Sequence, residues 1–435
     1  MLVFRAILLF LIIFNFHLPI VVYSSFLSVL LAGGYYVISG QKLPFYYFFY
    51  KHVFIILSAL LALSFISYLI SSAYITLDYD VTKVFLLQLT MMICLVFVLP
   101  AIIGENESNA FENALSVVCY AFAIQGFIQI SCLIYQPLAR FMLSLQNEDI
   151  ISRLEISNSY FRGYSLTGSP FFELPAGFGV AFICFFRLIL DKYRPYFKGF
   201  STYIVFLLLL VGASFSGRTA FTGLAFGVVL YILCSLSIAN TFRSVITLIS
   251  FSIFLCLIYF LILTPSLRKT IDENVLPFAF EFLYRYGEAG NLGTESSDYL
   301  IENFYYMPDT DTVIFGTGHY TNKDGTYYGH TDAGYMRSLL FGGIFYSLAL
   351  LIYQLLFFIS PLSDARSRGK SGKEDYLFLL SLLLHILVVN YKGEALGRMN
   401  IMQVLMLFIT TSYVIRSFRS FSSTETYLKK EEVTI

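Results

Sequence analysis

The residues at 211–221, VGASFSGRTAF, set one arginine, Arg218, among apolar and small side chains with no acidic neighbour in the sequence. Gly217 marks a short turn before the next apolar run, so backbone amides at a helix start would stand beside the guanidinium. Such a terminus attracts anions, and a guanidinium fork binds phosphate oxygens two at a time. One reading is a phosphate or pyrophosphate site. The other is an arginine that reaches to a membrane interface as an anchor.

Three further stretches concentrate polar groups. In 161–182, FRGYSLTGSPFFELPAGFGVAF, Arg162 precedes a Gly/Pro-broken entry into an apolar run that carries Glu173. That carboxylate could be a general base, a binder of sugar hydroxyls, or the partner of Arg162. In 316–345, GTGHYTNKDGTYYGHTDAGYMRSLLFGGIF, His319, His330, Asp332 and Arg337 flank the start of another run. If 330–337 is helical, His330 and Arg337 share a face. A histidine there is a base or a phosphate contact, or an ordinary loop residue. In 391–400, YKGEALGRMN, Glu394 and Arg398 have the spacing of a helical ion pair, with substrate contact by Arg398 as the other reading. Arg285 is a further candidate substrate contact. The His and carboxylate spacing fits no metal pattern, so no metal is expected.

These groups need a scaffold, and the composition says which kind. Of 435 residues 57% are hydrophobic and 13% charged, against roughly 25% charged in soluble domains. The apolar residues fall in blocks near the 20 or so that a helix needs to cross a bilayer. The runs are too long for barrel strands, so the chain is read as all-α, a single polytopic membrane domain over 1–435. About twelve spans are expected, near 2–17, 19–38, 53–73, 81–103, 112–135, 171–190, 199–214, 219–239, 242–264, 333–360, 376–391 and 399–415. The first resembles a signal peptide but lacks a cleavage site, and is read as a retained helix. The six cysteines lie in apolar runs without CxxC spacing, which argues against disulfides and metal. Zero net charge without a basic domain excludes nucleic acid as an expected partner.

Orientation follows from the basic connections 191–198, 240–243 and 361–375 and the tail at about 416–435. With both termini on one side, all of these fall together, and the positive-inside rule makes that side the cytoplasm. Two long hydrophilic segments, about 136–170 and 265–332, then lie outside, as does Arg218. The 33 tyrosines and 46 phenylalanines are read mainly as interfacial belts, with stacking on sugar rings as the alternative for TYYGH.

The order of these features resembles the O-antigen polymerase (Wzy-type) branch of the bacterial polysaccharide polymerase and ligase superfamily. The features are the spans, the large outer loop before the tenth, SGRTA between adjacent spans, HTDAGYMRSLLFGGI entering the next, and the Arg162–Gly179 stretch. The resemblance implies a GT-C-like helical glycosyltransferase in the cell inner membrane, acting on its outer side without a cofactor. It would move a growing glycan from undecaprenyl pyrophosphate onto the next lipid-linked repeat unit, with a chain-length regulator as a further partner. Arg218 and Arg162 match arginines that contact the lipid pyrophosphate, and His330 lies where related ligases carry a histidine. Thr331 and the adjacent glycines Gly342 and Gly343 depart from the ligase pattern and favour the polymerase. The base is open among Glu173, His330 and Asp332. Alternatives are an O-antigen ligase, a flippase of lipid-linked oligosaccharides, and a polyprenyl monophosphate-dependent transferase using Asp78 and Asp80.

Overall fold

The computed structural model describes residues 1–18, 23–40, 45–104, 109–146, 148–156, 160–190, 199–235, 265–290, 294–322 and 326–432. Among them the regular elements are helical, and the β pairing is an isolated bridge between Thr321 and Tyr327. Helices α1 (Leu2–Phe14) and α2 (Ser24–Ser39) are short and apolar. Helices α3 (Lys51–Ala73), α4 (Asp80–Ile103) and α5 (Ala110–Ile134) are long and apolar enough to cross a membrane. The first hydrophilic segment folds into α6 (Gln136–Ser144) and α7 (Glu148–Ile156). Helix α8 (Glu173–Leu190) has spanning length, and α9 (Phe200–Ser216) and α10 (Ala220–Cys234) are shorter and apolar. The second segment contains α11 (Glu281–Ala289). Helices α12 (Gly334–Ser367), again of spanning composition, α13 (Lys373–Lys392) and α14 (Asn400–Glu432) follow. These lengths and compositions are those of a membrane protein.

Helices stand over the stretches read as spans, except 242–264, which lies outside the described residues. Their limits differ from the expected ones. Helix α1 stops at Phe14 because Asn15 turns left-handed (φ 35°), whereas α12 and α14 run on to Ser367 and Glu432. An apolar run reports which part of a helix avoids water, not where its hydrogen bonding stops.

Helix α8 is central: 83% of its spanning window is buried, against 33% for α3, whose Phe54, Leu61, Phe65 and Leu69 face outward. It packs on α5, α9, α10, α13 and α14. Where α8 meets α10, a Cβ on Gly223 would collide with the backbone of Gly179, so only small residues let the two helices approach this closely. That contact fixes the turn between α9 and α10 relative to the start of α8.

Helix α12 is broken at Gly342 and Gly343, the latter with φ 68° and ψ −168°. A break frees carbonyls that apolar surroundings cannot solvate. Here the segment 316–318 supplies the donors: the Thr317 amide donates to the Leu340 carbonyl (2.8 Å) and Gly318 to Phe341 (2.9 Å). The adjacent glycines thus anchor the end of the second hydrophilic segment against the first turns of α12.

At the other end of the bundle, Asp375 at the start of α13 accepts from Arg187 (2.7 Å), Arg368 (3.2 Å) and Arg416. Arg416 also pairs with Glu112 (2.7 Å) and Arg368 with Asp364 (3.3 Å). These pairs tie α5, α8, α12, α13 and α14 together at that end.

Candidate functional site

Four helix starts and one helix end converge on a cavity of about 860 Å³. Its wall includes Val84 of α4, Glu173 of α8, Asp332 and Arg337 at the start of α12, Lys392 at the end of α13, and Asn400 of α14. Between α13 and α14 the chain adds Glu394 and Arg398, and the hydrophilic segments add Arg153, Tyr320 and Tyr327.

The buried centre of the wall is built around Glu394. Its Oε2 accepts from the Tyr320 hydroxyl (2.6 Å) and from Arg398 (2.9 Å), and Arg337 lies at 3.6 Å. The Glu394–Arg398 pair expected from spacing is therefore present, with two further groups on the same oxygen. Arg337 lies between the rings of Tyr320 (3.7 Å) and Tyr327 (3.5 Å), and Arg398 lies over Tyr320 at 3.7 Å. A guanidinium with a weakly hydrated face suits such stacking. Asn390 holds the connecting turn by accepting from the amides of Ala395 (2.8 Å) and Leu396 (2.9 Å).

Tyr320 is delivered to this centre by Asp78, whose Oδ2 accepts the amides of Tyr320 (2.7 Å) and Thr321 (2.6 Å). Asp80 accepts from the Thr321 hydroxyl (3.1 Å) and from Lys83 (2.9 Å). The acidic pair considered for a polyprenyl monophosphate enzyme is thus occupied in holding a loop.

Glu173 opens α8 and does not pair with Arg162. Its Oε2 accepts the Ile401 amide (3.3 Å) at the start of α14, where helix N–H groups favour a carboxylate. Asp332 is open to the cavity, and desolvation by nearby protein atoms raises its carboxyl above the ordinary 3.8 against the opposing pull of Arg337 and Arg153.

His330 and Arg337 do not share a helical face, which corrects the expectation from spacing. Helix α12 begins only at Gly334, and Gly329 (φ 70°) and His330 (φ 49°) are both left-handed, so the chain turns sharply before it. His330 lines a neighbouring cavity of about 350 Å³, and His319 is exposed and stacks on Tyr328 (5.3 Å) without lining either cavity. Arg285 pairs with Asp298 at 2.8 Å, also away from both walls.

Arg162 and Arg218 form a second cationic centre. Both lie over the Phe278 ring, at 5.3 and 5.6 Å. Arg162 also covers Phe171 (5.0 Å), a residue of the large cavity's wall, and donates to the Phe171 carbonyl at 2.8 Å. Burial and then Arg218 bring the Arg162 guanidinium down to about 10, which leaves it charged at neutral pH. Its Nε is buried without an acceptor among the described residues. Arg218 has no acidic neighbour in sequence, but Glu281 of α11 folds back to pair with it. Lys392 is within electrostatic reach of both arginines and lines the large cavity, so it links the two centres.

Glu173, Asp332, Arg337 and Arg398 are thus gathered on one wall, with Arg162 and Arg218 beside it. Arg153, Tyr320 and Lys392 were not singled out from sequence, and Tyr327 was named only within TYYGH, as an alternative to an interfacial tyrosine. Lys392 carried a signal like that of Arg218, a cation at the end of an apolar run, whereas Arg153 stands among other charges in a hydrophilic segment. The tyrosines were indistinguishable from interfacial ones. No protein-family model matches the chain, and no curated protein or solved structure does either.

Proposed function

We propose that the chain is a polysaccharide polymerase of the O-antigen or capsule type. On this reading it transfers a growing glycan from undecaprenyl pyrophosphate to the next lipid-linked repeat unit, at the outer side of the cytoplasmic membrane. The observation that carries the reading is the pairing of a cationic centre, Arg162 with Arg218, with an adjoining large cavity lined by tyrosines, phenylalanines and carboxylates. Two guanidiniums that repel each other gain from a dianion between them, and pyrophosphate is one. Aromatic faces and carboxylates suit the apolar faces and hydroxyls of sugars.

The chemistry needs little beyond this. Pyrophosphate is a good leaving group, so stabilising the charge that develops on it matters more than a strong acid. Arg162 and Arg218 supply that stabilisation, and Arg218 is released from Glu281 as the lipid enters. Crossing about twelve times, with both termini in the cytoplasm, the chain would put the cavity outside. The gathering of cations and carboxylates at one cavity, beside long hydrophilic segments, supports an enzyme rather than a flippase.

The test is reconstitution of the purified protein with undecaprenyl pyrophosphate-linked repeat units, reading chain length on a gel. A ladder is expected, and Arg218→Ala should remove it by lowering the rate by two to three orders of magnitude, about 3 kcal/mol. Single units from the native protein, or a normal ladder from well-folded Arg218→Ala, would contradict the reading.

A further inference from the structure

The polymerase reading leaves unassigned the group that takes the proton of the incoming sugar hydroxyl. Among the described residues, three carboxylates line the large cavity, Glu173, Asp332 and Glu394. Glu394 is held by Tyr320, Arg398 and Arg337, and Glu173 by the start of α14. Asp332 accepts no hydrogen bond from a described residue and is open to the cavity.

Its position is the stronger argument. The cavities of about 860 and about 350 Å³ share a wall made of Arg153, Tyr299, Phe304, Tyr327 and Asp332. Asp332 is the carboxylate of that shared wall. A transfer between two bulky substrates brings donor and acceptor in from different directions, and the base must stand where they meet. His330 reaches only the smaller cavity.

The flanking residues hold Asp332 there. The Thr331 hydroxyl donates to the Phe304 carbonyl (3.0 Å) and accepts the Ala333 amide (3.2 Å), which fixes the backbone on both sides of the carboxylate. Thr331 is fully buried. A base whose neighbours are locked keeps its aim, as catalytic groups require.

We propose that Asp332 is the general base of the transfer, a proposal that rests on the polymerase reading. The acceptor hydroxyl oxygen bonds to the donor's anomeric carbon while the bond from that carbon to the pyrophosphate oxygen breaks. The bonding pair leaves with undecaprenyl pyrophosphate. The hydroxyl proton passes to the Asp332 carboxylate and then to water. Arg337 and Arg153, which act electrostatically on Asp332, help keep it ionised between turnovers.

The test uses the full chain in liposomes with undecaprenyl pyrophosphate-linked oligosaccharides isolated from cells lacking this protein. Chain growth by the native protein, Asp332→Asn and Asp332→Glu is followed across pH, together with Tm and binding of the lipid substrate. Asp332→Asn is expected to slow growth at least about 100-fold at every pH, the scale of a lost base. Lipid binding should persist and Tm should stay near native, because Asp332 is open to the cavity and accepts no hydrogen bond from a described residue that the amide would lose. The native rate should rise with pH through a midpoint above 3.8, and Asp332→Glu should restore part of it.

Growth by Asp332→Asn within about tenfold of native would overturn the assignment and leave the polymerase reading intact. A native profile flat through the acid range overturns it even if Asp332→Asn fails to fold. A native protein that binds the lipid but elongates nothing removes the polymerase reading, and the base falls with it.

Discussion

The Tyr320 hydroxyl donates to Glu394 Oε2 across 2.6 Å, joining a loop to a turn 74 positions further along the chain. Arg337 and Arg398, each with a side chain 7% exposed, complete the group around that oxygen. Glu394→Gln would leave two buried guanidiniums with a neutral partner, at a cost of about 3–5 kcal/mol. Tyr320→Phe keeps the ring over which both guanidiniums stack and loses one hydrogen bond, at about 1–2 kcal/mol. Thermal unfolding in detergent should rank the two in that order. Equal losses would show that the phenol, not the charge, holds the wall.

Asp78 matters through the loop it holds. With its Oδ2 removed in Asp78→Ala, the amides of Tyr320 and Thr321 lose their acceptor. Hydrogen exchange at those two amides should speed up while α3 and α4 stay protected. Unchanged exchange would mean that the loop is held from elsewhere.

Gly343 sits at φ 68° and ψ −168°, a conformation open to little but glycine, and a Cβ there would strike the Ile314 carbonyl. Gly343→Ala should cost at least about 2 kcal/mol and loosen the segment 314–318 from α12. A melting temperature equal to native would show that the break in α12 is not needed.

His330 is left-handed at φ 49°, which side chains with a Cβ adopt at a cost of about 1–2 kcal/mol. If its role lies in the backbone turn before Asp332, His330→Gly keeps chain growth and raises Tm. Loss of chain growth in a stable His330→Gly protein would instead make the imidazole a participant.

At the opposite end, the Asp375 carboxylate, 4% exposed, serves Arg187, Arg368 and Arg416. Asp375→Asn should destabilise by about 3–5 kcal/mol. Growth per folded molecule should be unchanged, because the residue is at the far end of α13 from Lys392. A matching fall in turnover without unfolding would reveal coupling between the two ends.

The helical class was legible because it depends on local quantities. A run such as 53–73 or 81–103 needs only its own residues to state that it avoids water and must satisfy its backbone internally. The Glu394–Arg398 pair was legible because opposite charges four positions apart stay within reach of each other, although the structure joins them across a non-helical turn between α13 and α14. Arg218 was noticed because an isolated cation in an apolar stretch is costly wherever the chain folds.

What was not legible depended on which distant residues meet. Nothing near Arg218 announces Glu281, and nothing near Asp78 announces the amides of Tyr320 and Thr321. The spacing of His330 and Arg337 was misleading because two left-handed residues end the chain's regularity before α12 begins. By itself the sequence determined that the protein is helical, suited to a membrane, and supplied with cations and carboxylates at helix ends. Only the tertiary structure decided that Glu394 would be shared, Glu173 taken up by a helix start, and Asp332 left open between two cavities. Patterning is a sum over neighbours in the chain, whereas the partner of a buried charge is chosen by packing among segments far apart in it.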